Sequence, residues 1–451
     1  MTTILQRFEA LHPTSLRLHM RASTLFPDGV THDIRHFAPF PLYVERAQGS
    51  RKWDVDGNEL IDYVMGHGAL LLGHNYPDVR EAVARQIERG THYGASHELE
   101  IAWAERVQAL IPSARKVRFT SSGTEATMMA VRLARAFTGR DTLVRFRYHF
   151  HGWNDNVVGV TDREGPHPHA LGVPDATLGN VVVIPQHDAQ ALRATLAEED
   201  VAAVIIEPTG AGWGTVPLDL DVLPLLREET SKAGAILIFD EVVTGFRVAP
   251  GGVQAATGVM PDMTTLAKVL AGGLPGGAVA GREDVVSLIE FRDSGRSDFS
   301  HRVPHPGTFN ANPLSAAAAG AALGVVATGE PHRHAGALCR TLVRGLNEAF
   351  ASEGVPGCAY GHASMFHLVV GAECAPPPDG FAWDWQGRPG DQMPRMSAEV
   401  VAGLRRGMIN EGVDLMDTGG MLSVAHEEGD VAHTIEAFRR TLRQMKGEGL
   451  L

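Results

Sequence analysis

Lys268 stands inside an apolar stretch, after Leu266-Ala267 and before Val269-Leu270-Ala271-Gly272-Gly273-Leu274-Pro275-Gly276-Gly277-Ala278. A lysine withdrawn from water has a lowered pKa and is populated as the neutral amine, the form that adds to a carbonyl carbon to give an imine. Taken alone, a lysine reads more readily as a surface residue on an amphipathic helix. Upstream, Asp240-Glu241 follows the apolar run Ala235–Phe239. A carboxylate at the end of a buried strand is costly unless it is paired. A pyridinium nitrogen, a metal ion or an arginine such as Arg247 would serve, and so would a purely structural ion pair. Glu207-Pro208 likewise follows the apolar run Ala203–Ile206. Further upstream, Ser121-Ser122-Gly123-Thr124-Glu125 leads from Val117–Thr120 into a helical pattern. Small residues at a helix start expose backbone N–H groups to an anion. They also make an ordinary N-cap with an acid in the first turn. The segment matches neither the Walker nor the Gly-x-Gly-x-x-Gly nucleotide pattern.

These residues need elements that bring them together. From about Pro77 short apolar runs alternate with helical periods. Strands are expected at Val117–Thr120, Leu143–Phe146, Val181–Ile184, Ala203–Ile206, Ala235–Phe239 and Ala278–Ala280, with helices such as Thr124–Phe137 and Val222–Ala233 between them. Continuous apolar strands alternating with helices imply a mostly parallel sheet covered on both faces. Ligands of such sheets bind beyond the carboxyl ends of the strands, which is where Asp240, Glu207 and the Ser121–Thr124 segment fall. Before this region come a helix from Ile4 to about Arg21 and a turn at Pro27-Asp28-Gly29. Residues 41–64 alternate as a hairpin turning at Asp56-Gly57-Asn58. After Asn312 an Ala-rich helix runs to about Val326, and the remainder reads as a separate α+β unit with a Pro/Gly-rich loop at Ala375–Pro394. The expected division is an N-terminal segment, 1–64, belonging to a small domain; a large domain, 65–313; and a C-terminal small α+β domain, 314–451.

At 451 residues the chain is too long for a single core. Its net charge of -13 argues against nucleic acid as the main partner. Cys339, Cys358 and Cys374 are too few and too scattered for a disulfide framework or zinc knuckle, which fits a reducing cytoplasm. No signal peptide is visible, and the apolar stretches are too short or too Ala/Gly-rich to span a bilayer. No metal site is expected. Asp54-Val55-Asp56-Gly57-Asn58-Glu59 lacks the full calcium-loop spacing, and His426-Glu427 with His433 is not a zinc motif. His149 and His151, and His332 and His334, are pairs without further ligands in a suitable pattern.

In order, the phosphate cup, Glu207-Pro208, Asp240 and Lys268 resemble the fold type I pyridoxal-5′-phosphate (PLP) enzymes. More narrowly, Asp240-Glu241-Val242-Val243-Thr244-Gly245-Phe246-Arg247, the segment Lys268–Ala278, and Gly307-Thr308-Phe309-Asn310-Ala311-Asn312-Pro313 look like class III aminotransferases. The resemblance runs from about Gly29 to His426. It implies an α/β fold: a large domain with a mostly parallel seven-stranded sheet, plus a smaller α+β domain. It further implies that Lys268 holds PLP as a Schiff base and Asp240 pairs with the pyridine nitrogen. Ser122, Gly123 and Thr124 would hold the phosphate, Phe150 and Val242 would sandwich the ring, and Glu207 would lie at the cofactor. A homodimer with shared active sites is implied as well, with Thr308 reaching the phosphate of the neighbouring subunit.

Within the family, the chain resembles the group around glutamate-1-semialdehyde 2,1-aminomutase. The similarity rests on Gly29-Val30-Thr31-His32-Asp33-Ile34-Arg35, Trp53–Asn58, Gly73-His74 with Pro77, and Ser423-Val424-Ala425-His426. The arginine matching Arg35 binds the substrate carboxylate there, and a guanidinium fork suits that task. The chain departs from this group at five places. His67 stands where the group has tryptophan, and counts with Arg35 as substrate-binding. Phe150 replaces a stacking tyrosine, and Gly212 an asparagine. Gly159–Pro174 lacks the Ala-Gly-Ser-Gly run of the gating loop. Thr418-Gly419-Gly420-Met421 is shorter than the usual segment and lacks its glutamate. The expected function is therefore an aminotransferase working by ping-pong chemistry between a small carboxylate-bearing amine, such as a β- or ω-amino acid, and a keto acid. The alternative is an isomerase of the same family, an aminomutase or racemase. A non-enzymatic PLP-fold module is disfavoured by the intact Lys268, Asp240 and phosphate cup.

Overall fold

The computed structural model describes residues 2–159, 168–219, 221–291, 301–374, 394 and 396–451. Part of the Gly159–Pro174 segment and nearly all of the Ala375–Pro394 loop therefore lie outside the described residues. The chain divides into two compact units. One is drawn from Met1–Tyr76, Arg333–Ala382 and Pro394–Leu451, and the other from Pro77–His332.

The Pro77–His332 unit is built on a seven-stranded sheet. Across it the strands are Lys116–Thr120, Gly277–Gly281, Met263–Ala267, Ile236–Asp240, Val201–Ile206, Thr142–Phe146 and Val181–Ile184. Only Gly277–Gly281 runs against the others. The period of two along each strand sorts the side chains onto two faces. Ala203, Ile205, Ile236 and Ile238 pack into one core with Met129, Leu133 and Val285. Val204, Ile206, Leu237 and Phe239 pack into another with Leu192, Leu223 and Leu226. Both faces are thus buried, which is why these strands are uninterruptedly apolar.

The strand Met263–Ala267 is absent from the expectation. It joins Ile236–Asp240 in parallel and Gly277–Gly281 in antiparallel. Its threonines, Thr264 and Thr265, are fully buried and blur the apolar signal. The helix Pro313–Val326 starts where Asn312 caps it, accepting from the Ser315 N–H at 3.0 Å. It packs on the helices Pro77–Arg89 and Glu98–Leu110 and on the turn Lys268–Ala271, and so falls within this unit rather than the C-terminal one.

The other unit holds a four-stranded sheet in the order Val44–Gln48, Arg51–Asp54, Glu59–Asp62, Val413–Asp414, and a three-stranded one of Gly357–His362, Met365–Val370 and Gly419–Met421. Its core includes Leu342, Leu346, Phe366, Phe438 and Leu442. The hairpin turn sits where expected, with Asp54 Oδ1 accepting the N–H groups of Asp56 and Asn58. This unit extends past residue 64 because Asp62 anchors the next turns of the chain: its carboxylate accepts from the Val64 and Met65 N–H groups and from His74 Nε2. The expected first helix is two helices, Ile4–Leu11 and Pro13–Ala22. Pro13 has no N–H to continue the first, but suits the opening turn of the second.

One expectation is corrected. Cys358 and Cys374 form a disulfide. The hairpin of Gly357–His362 with Met365–Val370 pairs Cys358 with Val369, which brings the chain at Cys374 back beside it. Cys339 is buried outside the disulfide, and its thiol donates to the Met365 carbonyl at 3.5 Å. Among the described residues no helix is long and apolar enough to cross a membrane.

Candidate active site

In the Pro77–His332 unit these candidate residues lie at or just after the carboxyl ends of parallel strands. Lys116–Thr120 leads to Ser122, Gly123 and Thr124, and Thr142–Phe146 to Phe150. Val201–Ile206 leads to Glu207, Ile236–Asp240 ends on Asp240, and Met263–Ala267 delivers Lys268. Glycines report how tightly they meet. A Cβ on Gly123 would lie 2.9 and 3.0 Å from the two γ-carbons of Val242 and 3.6 Å from Cβ of Ala267. The helix start, the residue after Asp240-Glu241 and the residue before Lys268 therefore converge on one point. Gly152, at φ +90, leaves no room either: a Cβ there would sit 2.5 Å from Thr124 Oγ1.

The helix Gly123–Thr138 is capped as an N-terminus should be. Ser122 Oγ accepts from the Glu125 N–H at 3.2 Å, and Glu125 accepts from the Ser121 N–H at 2.6 Å. The cap and the anion site are compatible, because the first-turn N–H groups of a helix have no partners within it.

Asp240 is fixed on every side. The Nδ1–H of His151 donates to Asp240 Oδ2 at 2.7 Å, Thr265 Oγ1 donates to Oδ1 at 2.9 Å, and the Val242 N–H donates to Oδ1 at 3.2 Å. His151 is buried and its own carbonyl accepts from Thr127 Oγ1 at 2.7 Å. Its Nε2 has no hydrogen-bond partner among the described residues. Sequence reasoning set His151 aside as half of a histidine pair without metal ligands; in the fold it is the partner of the candidate catalytic aspartate. The pairing is invisible in sequence because 89 positions separate the two residues.

Glu207 is buried and accepts from three backbone N–H groups: Phe150 at 2.7 Å, Gly212 at 3.0 Å and Trp213 at 2.9 Å. It thus ties the turn carrying Phe150 to the turn carrying Gly212. Burial raises its carboxyl, and His151 and the Phe150 and Trp213 N–H groups offset part of that rise. His149 lies behind it. The Glu207 N–H donates to His149 Nδ1 at 3.0 Å, and His149 Nε2–H donates to Gln186 at 2.9 Å, which fixes the neutral ring.

Burial pushes the Lys268 amine below its ordinary value, Asp240 and Glu207 pull it back up, and Arg247 pushes it down again. The buried strand that ends at Ala267 places it there, and the backbone turns at Lys268 itself with φ +52. Phe150 is exposed, at 68%. Thr308 is exposed too, beside a tight Gly307 turn over Asn310.

Arg35 and His67 belong to the other unit. There they line one cavity of about 470 Å³ with Tyr43 and Lys52. Arg35 donates to Thr31 Oγ1 at 2.9 Å, and His67 stacks on His32 with ring centroids 5.4 Å apart.

The family described as "Aminotransferase class-III" matches residues 34–361. The chain belongs to the class III aminotransferases. The glutamate-1-semialdehyde 2,1-aminomutase of Methanopyrus kandleri is 36% identical over 448 residues, covering 98% of this chain and 100% of that protein. Among solved structures, an omega-transaminase from Sphaerobacter thermophilus aligns with a TM-score of 0.86 at 33% identity, covering 96% of this chain and 98% of the other. A transaminase solved with PLP bound aligns at 0.85 and 32%, covering 97% and 99%. The architecture of this class III chain is fold type I, with the mostly parallel seven-stranded sheet.

Proposed function

We propose that this chain is a PLP-dependent enzyme that moves the amino group of a small carboxylate-bearing substrate. The observation that carries the reading is the pairing of a buried lysine, biased toward the neutral amine, with an aspartate locked by His151 and Thr265. The residues fit the cofactor. Gly123 and Gly152 let Val242 and the turn after His151 close in on the helix start, whose first-turn N–H groups suit a phosphate, and Asp240 offers a fixed carboxylate to a protonated ring nitrogen.

PLP, when bound, supplies an electron sink for the carbon that bears the substrate amine. Lys268 would hold the cofactor through Nζ and, once freed, would take the proton from that carbon as base and deliver it as acid to the cofactor carbon that receives the amine. Asp240 keeps the ring nitrogen protonated. Ser122, Gly123 and Thr124 bind the phosphate, and Phe150 and Val242 flank the ring. Glu207 holds the turn that presents Phe150. Arg35 binds the substrate carboxylate, with His67 beside it in the same cavity. Thr308, exposed at its turn, is proposed to reach a second copy of the chain in a homodimer, and the cytoplasm is the proposed location.

Within this chemistry isomerisation is the better-supported reaction, ahead of the transfer reading that the sequence departures favour. Its support is the full-length match to a glutamate-1-semialdehyde 2,1-aminomutase. Transfer to a separate keto acid is the second reading, supported by the likeness to an omega-transaminase and by His67 in place of tryptophan. The test follows the visible spectrum of the purified protein with glutamate-1-semialdehyde, then with α-, β- and ω-amino acids. Conversion of glutamate-1-semialdehyde to 5-aminolevulinate without any keto acid is the outcome for the mutase. Bleaching by an amino acid, reversed by a keto acid, is the outcome for the transaminase. A protein that takes up no PLP refutes both.

A further inference from the structure

We propose that a groove on the Pro77–His332 unit, between the helices Pro77–Arg89, Glu98–Leu110 and Pro313–Val326, binds a small organic anion with a flat apolar body. The cavity there measures about 520 Å³, the size of a small-molecule site. Small side chains line it on two of the helices, at Ala102, Ala316, Ala317 and Gly320. A Cβ added to Gly320 would meet nothing within 4 Å, so the groove is open at that glycine. Small residues alone would make only a gap between helices; two polar features make this one a site. Trp103 lines the cavity at 1% exposure, and its Nε1 is buried without a hydrogen-bond partner among the described residues. A buried donor left unmade is costly, and an acceptor brought in by a ligand would satisfy it. Arg106 reaches from the second helix to the third: a Cβ on Gly324 would sit 3.5 Å from its Nη1.

The charges around the groove fit an anion. Arg85 is committed to Glu81 on its own helix. Arg89 and Arg106 also line the cavity, and among the described residues neither makes an ion pair or a side-chain hydrogen bond. The acid of the lining, Glu88, is exposed and is one charge against two. A guanidinium forks onto a carboxylate, while the alanines and Leu99 offer apolar surface to a ring. That combination selects an aryl carboxylate over a bare inorganic ion, which would leave the apolar wall uncovered. Lys268, Asp240 and the Ser122–Thr124 turn do not line the groove. The helix Pro313–Val326 nevertheless packs on the Lys268–Ala271 turn, where a Cβ on Gly272 would lie 2.8 Å from the Ala318 carbonyl oxygen. An occupant would therefore rest on the helix that supports the proposed catalytic lysine.

The test is titration calorimetry of the PLP-loaded protein with 2-naphthoate and 2-naphthamide, probes of one shape that differ in charge. A charge-assisted fork makes the carboxylate bind about tenfold tighter or better. Arg106→Ala should lose most of that preference. Gly320→Leu puts a side chain into the open groove and should abolish binding of both probes. Leucine is the better helix former, so the melting temperature of that variant should not fall. Should it fail to fold, Arg106→Ala, at an exposed position, carries the test. Arg35→Ala should leave both affinities within about twofold, because the two sites share no lining residue. Binding of neither probe, equal affinities, unchanged binding in Gly320→Leu, or loss of binding in Arg35→Ala alone would overturn the proposal. So would a change of subunit number in Arg106→Ala on sedimentation, since the groove would then be an interface between copies of the chain.

Discussion

At Lys268 the backbone takes φ +52, a left-handed conformation that costs a residue with a β-carbon about 1–2 kcal/mol. Such strain persists only where the surroundings impose it, and here the buried strand Met263–Ala267 does so. Asp240 and Glu207 lie near enough to the amine to raise its pKa against the effect of burial. Lys268→Ala is therefore expected to lower turnover by about a thousandfold or more. PLP should still bind, but borohydride should no longer fix it to the chain, which mass spectrometry reads directly; covalent PLP in that variant would place the attachment elsewhere. His151 acts one step back, as the positioning partner of Asp240. Removing a hydrogen bond to a charged group costs about 1.5–3 kcal/mol, so His151→Ala should lower kcat about 10–100-fold. A purely structural role would leave the absorption of the bound cofactor and its pH dependence unchanged. A shift in that titration, partly restored in His151→Gln, is the expected result.

The helix Gly123–Thr138 and the turn at Gly152 form the next level. The His151 carbonyl accepts from Thr127 Oγ1, and Gly152 lies against Thr124, so this turn clamps the first helical turn. Gly152 sits at φ +90, and a Cβ added to it would meet Thr124 Oγ1 at 2.5 Å, so the position tolerates neither the conformation nor the volume of alanine. Gly152→Ala should destabilise the protein by about 1–3 kcal/mol. Because the displaced element is the proposed phosphate cup, PLP affinity should fall with it. Thermal melting with and without PLP separates the two effects, and an unchanged melting temperature would show that the turn yields freely.

At the scale of the whole chain, both units carry a buried neutral histidine. Burial pushes His149 down to about 3 and His426 down to about 4. Each also uses Nδ1 as an acceptor, from the Glu207 N–H and the Ser423 N–H respectively. In the unfolded chain both return to about 6.5, so as pH falls the unfolded state binds protons first. Their contribution is complete above about pH 6.5 and drains as pH drops toward the folded values, by about 2 kcal/mol per histidine at pH 5. The urea midpoint should therefore be lower at pH 5 than at pH 7.5. An equal midpoint would mean that these rings gain a partner on protonation.

Local pattern alone determined much of this protein. Uninterrupted apolar strands alternating with helical periods define a covered parallel sheet, because a strand buried on both faces has no polar side to show. The same pattern put Asp240, Glu207 and the Ser122–Thr124 turn at strand ends, where such sheets bind ligands. The Asp-Gly hairpin and the helix start after Asn312 were legible for the same reason: each depends on neighbours within a few residues. Tertiary structure decided the rest, wherever the partner is distant in sequence. The strand Met263–Ala267 was hidden by its buried threonines, one of which, Thr265, spends its hydroxyl on Asp240. The Cys358–Cys374 pairing needed the hairpin that folds Cys374 back. Arg106 reads as one more arginine on a helix until the fold sets it beside Gly324 at the cavity of Trp103. His151 reads as half of an unused pair until a crossover connection brings it to Asp240. Hydrogen bonds and charges act over a few ångströms of space, and only the packed chain sets those distances.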